Sequence, residues 1–133
     1  MCSLVSCGYL SSGTWEDDKK NWDRAYNHPL PDTINLIHSW YWRSPHWTLE
    51  QAMYFEIDYN EGILHNFIKD STVRQLDYRD TLKLYFFNTK PKWFLPKPYR
   101  SYFIWIGKKD KFDNFMLFMD SEIGHLYWTD SQF

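Results

Sequence analysis

The chain has 133 residues and a net charge of −2, with 44% hydrophobic, 21% aromatic and 24% charged residues. That apolar content offsets the ordering entropy of one domain, so the composition excludes a disordered chain and the length argues against a second domain. Both cysteines, Cys2 and Cys7, lie at the start, which excludes a disulfide framework, thiolate zinc ligands and a cysteine nucleophile in the body; no run approaches the about 20 apolar residues of a membrane-spanning helix.

In chain order, residues 1–13 read as a signal remnant and flexible tether, and residues 14–133 as one folded domain. Leu4-Val5-Ser6-Cys7 has the spacing of a lipobox: an aliphatic residue, a small or β-branched one, Ser, and a cysteine whose thiol takes diacylglycerol. A Gly/Ser-containing stretch from Gly8 to Thr14 comes next as a tether, and Cys7 is the candidate lipidation residue. A lipoprotein signal also carries an apolar segment of about 7 to 15 residues behind a basic one. Only six residues precede Cys7, so this reading expects a start upstream of Met1. The alternative is an accidental pattern in a cytoplasmic protein.

Thr14-Trp15-Glu16-Asp17 has capping-box spacing and predicts a helix over 15–26, with Trp15, Trp22, Ala25 and Tyr26 on its apolar face. Pro29 and Pro31 end it. Period-2 alternation predicts a strand over 33–43, with Ile34, Leu36, His38, Trp40 and Trp42 on one face. A second strand over 51–59 is its antiparallel neighbour, and Asn60 caps a short helix reaching about residue 70 with Ile63, Leu64, Phe67 and Ile68 as its stripe. Residues 81–87 read as an edge strand, and Pro91, Pro96 and Pro98 turn the adjoining stretch into a lysine-rich loop. Three closing strands are expected over 99–106, 112–119 and 125–129, the last two joined by a turn at 120–124. The sum is an α+β domain, an antiparallel sheet of about five strands with one or two short helices on one face.

Charge is uneven: residues 69–111 hold eleven Lys/Arg against four Asp. Such a block steers anionic partners, or it simply solvates loops and edges; the second reading is preferred because the whole chain is acidic, and no nucleic-acid partner is expected. The densest constellation is His38-Ser39-Trp40-Tyr41-Trp42-Arg43-Ser44-Pro45-His46-Trp47. Indoles stack on rings and cations, and Arg43 and His46 hold anions beside them, so Trp40, Trp42, Arg43, His46 and Trp47 are the candidate partner-binding residues. Trp93, inside Lys90-Pro91-Lys92-Trp93-Phe94-Leu95-Pro96, joins them. The competing reading puts these indoles in the core. The five histidines show no metal-ligand spacing, no nucleophile elbow or phosphate loop is present, and neither catalysis nor a cofactor is expected.

The strings Gly13-Thr14-Trp15-Glu16-Asp17-Asp18, His38 to Trp47, Pro91-Lys92-Trp93-Phe94-Leu95-Pro96 and Leu126-Tyr127-Trp128-Thr129-Asp130-Ser131-Gln132 resemble those of a family of small uncharacterised proteobacterial lipoproteins. The resemblance implies an envelope location, facing the periplasm from the outer membrane given Gly8 after Cys7. It assigns no activity. The function expected is therefore that of a non-catalytic envelope lipoprotein, held to the membrane by a lipid on Cys7, whose domain binds a protein or an anionic envelope component. The alternative is a soluble cytoplasmic partner of immunity or antitoxin type.

Overall fold

The computed structural model describes residues 12–45, 50–69, 73–77, 86–107 and 114–132. Among these, seven strands form one antiparallel sheet: β1 (Gly13–Glu16), β2 (Leu36–Arg43), β3 (Gln51–Asp58), β4 (Val73–Gln75), β5 (Phe103–Gly107), β6 (Met116–Asp120) and β7 (His125–Gln132). The order across the sheet is β1-β2-β3-β7-β6-β5-β4, which puts the longest pairings at the centre and the two shortest strands at the edges. Also among the described residues are two helices, α1 (Asn21–Tyr26) and α2 (Glu61–Lys69), and a 3₁₀ turn at Tyr99–Ser101.

Alternation along β3 explains why the sheet is buried on both sides. Met53, Phe55 and Ile57 point one way and Ala52, Tyr54 and Glu56 the other, and all six are buried. The first face carries Tyr41, Trp105, Leu117, Leu126 and Trp128 and is covered by both helices, through Trp22, Ala25 and Tyr26 of α1 and Ile63, Leu64 and Phe67 of α2. Trp128 stacks on Phe55 at 5.4 Å, meets Trp22 edge-on at 5.9 Å and donates its indole N–H to the Tyr26 hydroxyl at 2.7 Å. The second face carries Tyr54, Met116, Phe118 and Tyr127 and is covered by a strap of chain, Phe86–Tyr102, that inserts Phe94 and Leu95.

Several expectations hold. β2 and β3 are antiparallel neighbours, both helices lie on one face, and Asn60 caps α2, its Oδ1 accepting the Ile63 N–H at 3.0 Å. The Asp120–Gly124 turn joins β6 to β7, with Asp120 Oδ1 accepting N–H bonds from Glu122 and Ile123 and Gly124 in the left-handed region at φ 70°.

Others need correction. The sheet has seven strands where about five are expected, and β1 and β4 are the missing pair. β1 occupies the start of the expected helix over 15–26, whose helical part is only Asn21–Tyr26. The capping-box pattern is overridden because Gly13–Glu16 pairs register for register with Arg43–Trp40. Asp17 then turns the chain at φ 53°, its N–H bonded to Ser39 C=O at 2.7 Å. Trp15 still packs on the core shared with Trp22, Ala25 and Tyr26, but from a strand. The strand expected over 33–43 begins at Leu36, and a bulge between Leu36 and His38 sends Leu36 to the helix-covered face and Trp40 to the strap-covered one. Ile68, expected in the stripe of α2, is 37% exposed. The strand expected over 99–106 starts at Phe103 after the 3₁₀ turn, and that expected over 112–119 is described from Met116. Residues 81–85 of the expected edge strand lie outside the described residues, and Phe86 and Phe87 are not in a strand.

Candidate functional site

The strap-covered face is arranged in rows running across the strands. Trp42 lies opposite Thr14 of β1 and Ala52 of β3; Trp40 lies between Glu16 and Tyr54. The next row runs His38, Glu56, Tyr127, Phe118, Ile104, and the last holds Asp58, His125 and Asp120. The face thus grades from indoles at one end of the strands to ionisable groups at the other.

The aromatic end is built jointly by β2 and the strap. Phe87 packs on Trp42 at 4.6 Å and on Trp40 at 6.2 Å, and the Tyr54 hydroxyl donates to Phe87 C=O at 2.6 Å. Trp40 meets Tyr54 edge-on at 5.4 Å. Trp93 stacks on His38 at 5.0 Å with the rings 16° apart, while His38 Nδ1 bonds Asp17 Oδ1 at 2.9 Å. Trp40, Trp42 and Trp93 are all half-buried, neither core nor freely exposed.

Of the candidate binding residues, these three indoles are brought onto one face. Arg43 is not. It alternates to the other side of β2, where its guanidinium lies over the Tyr41 ring and donates to the Tyr41 hydroxyl at 3.1 Å. His46 and Trp47 lie outside the described residues, as does Cys7.

The ionisable end holds groups that are not among the expected site residues. Glu56 is 5% exposed, yet it sits on a central strand because His125 Nδ1 meets its Oε2 at 2.6 Å, with Tyr127 opposite it on β7. His125 Nε2 lies 3.5 Å from Asp58 Oδ1, so the imidazole is bracketed by two carboxylates. Asp58 is itself held by the Asn35 amide. Burial first, and then the Glu56 charge, raise the Tyr127 phenol above its ordinary value and keep it a hydrogen-bond donor. Asp120, almost fully buried, pairs with Lys97 Nζ of the strap at 2.8 Å. Its burial alone would raise its pKa, but the Lys97 ammonium and the N–H groups of Ile123 and Glu122 outweigh that and lower it. Lys97 is correspondingly raised, chiefly by the Asp120 hydrogen bond.

The one sequence signal for this cluster is that Glu56 and Asp58 fall on the same side as Tyr54 in a strand whose other side is apolar from Met53 to Ile57. A carboxylate in such a place requires partners, and they come from β7, which local periodicity cannot pair with β3. Chemically, an imidazole with a carboxylate beside each ring nitrogen is fixed in its orientation and ties the ends of β3 and β7 together. Among the described residues no group of three or more His, Cys, Asp or Glu is arranged to hold a metal ion, and no helix is long and apolar enough to cross a membrane. Comparison with protein-family models, curated proteins and solved structures gives no match.

Proposed function

We propose that the chain is a non-catalytic, lipid-anchored envelope protein whose folded domain binds another macromolecule of the envelope through the Trp40–Trp42–Trp93 ridge. The observation that carries the binding role is the half-buried state of three indoles gathered on one face by two separate segments. A half-buried indole is rigid and keeps part of its apolar face for a partner, at little further ordering cost. The anchoring role rests on Leu4-Val5-Ser6-Cys7 and the tether behind it.

Crosslinking in native cells, with a photoreactive group at position 42 and again at position 74 on β4, tests the binding role. A discrete adduct from position 42 alone supports it; identical patterns from both positions defeat it. Fractionation of the same cells separates the two locations. Recovery of the adduct with membranes fits the anchored reading, and recovery from the cytosol favours the immunity or antitoxin-like alternative.

A further inference from the structure

The strap half covers the ridge proposed above, and the way it is fixed identifies how access is set. Resting on that reading, we propose that Phe86–Tyr102 is a latched cover that lifts from the sheet as one unit and determines how much of Trp40 and Trp42 a partner reaches.

Three features argue for a segment that moves as one body. Its backbone hydrogen bonds close on itself, Phe94 N–H to Pro91 C=O at 3.0 Å, Ser101 to Pro98 at 2.9 Å and Tyr102 to Tyr99 at 3.1 Å. Its polar ties to the sheet include two made through side chains, Tyr54 to Phe87 C=O and Lys97 to Asp120. Pro91, Pro96 and Pro98 stiffen the segment, so that motion moves it whole instead of fraying it residue by residue. Strain is stored within it: Leu95, a bulky residue, is held in the left-handed region at φ 53° while its side chain is 3% exposed. Insertion of Phe94 and Leu95 keeps that conformation in place, and lifting the strap releases it.

Lys97 is the latch. Its ammonium lies 2.8 Å from Asp120 Oδ2, on a carboxylate only 2% exposed, and 3.4 Å from Glu122. Without the ammonium, the closed state buries a carboxylate left with the Glu122 and Ile123 N–H groups on Oδ1, whereas the lifted state lets water reach it. Loss of Lys97 therefore favours opening. Phe87, at the strap's start, lies on Trp42, and Trp93, at its middle, lies on His38, so the same movement uncovers Trp40 and Trp42 and carries Trp93 off the sheet with the strap.

Native-state hydrogen exchange of the full chain tests this. In the wild type the amides of Phe94, Lys97, Ser101 and Tyr102, whose single-turn bonds protect only while the strap lies packed on the sheet, are expected to exchange together, ahead of the β3 and β7 amides. Lys97→Met is expected to speed these strap amides about tenfold and leave β3 and β7 within about twofold. Asp120→Asn, which removes the buried charge itself, is expected to speed them less than Lys97→Met. Strap and β3 amides sharing one rate in the wild type, or Lys97→Met accelerating β3 and β7 equally, would overturn the cover. Crosslinking from position 42 in the Lys97→Met background separates this inference from the partner reading. More adduct supports the cover, and no adduct in either background defeats the ridge while the exchange result still decides the strap.

Discussion

Truncation of Glu56 and His125, singly and together, is the most informative perturbation of the ionisable cluster. Glu56→Ala removes a carboxylate that is 5% exposed and leaves His125 and Tyr127 facing a gap. Removing one partner of a buried pair costs about 3–5 kcal/mol, and His125 at 24% exposure places this pair at the lower end. With a urea dependence of about 2 kcal/mol/M, a loss of about 3 kcal/mol moves the unfolding midpoint down by about 1.5 M. His125→Ala opens the half-exposed side of the pair, lets water reach Glu56, and is expected to cost about 2 kcal/mol. The double variant should fall short of the summed losses by about 1.5 kcal/mol, the worth of a hydrogen bond to a charged group. Urea unfolding followed by indole fluorescence measures all four proteins. Additivity within about 0.3 kcal/mol would refute the claim that the carboxylate lies on the central strand because His125 holds it.

Asn21→Ala should cost about 2–3 kcal/mol, because the buried amide joins Trp15 C=O, Ser39 Oγ and Arg24 and so ties β1 and α1 to β2; calorimetry reads the loss. Gly124→Ala should cost about 1 kcal/mol, since a Cβ there meets no atom within 4 Å and only its φ of 70° resists, and the same scan measures it. The lowered Asp120 carboxyl contributes stability that is present above the unfolded carboxyl value and lost as pH falls through its lower folded value. Asp120→Asn should therefore flatten the decline of the urea midpoint below about pH 4. Lys97, Tyr54 and Tyr127 are all raised, so their contribution is present at neutral pH and is lost as pH climbs above about 10. A midpoint that stays level from pH 8 to 12 would contradict that.

The parts of the fold that local pattern encodes are legible in the sequence. β2 and β3 alternate cleanly enough to be paired across a short connection, and the cap of α2 follows from Asn60 alone. Segments decided by distant pairing are not. Trp15 sits in a run with every mark of a helix start, yet a register-matched edge on β2 draws Gly13–Glu16 into the sheet. The bulge at Leu36/His38 cannot be seen in an alternation that runs unbroken through it, so the pattern puts Ile34 and Leu36 on the face of Trp40 although they line the other. The site shows the same division. Trp40 and Trp42 share a face because they are two residues apart, Arg43 alternates away from them, and Trp93 joins through a stack on His38 that spans 55 positions of chain. Glu56 and His125 lie farther apart still and meet only through the β3–β7 register.

That the folded part is a binding domain carried on a lipid anchor is tested most directly by the mass of the natural product's amino-terminal peptide, purified from native cells in detergent. A peptide beginning at Cys7 and carrying diacylglycerol, lost together with membrane association in Cys7→Ser, is the expected result. An unmodified peptide that begins at or before Met1, recovered from the soluble fraction, would contradict it.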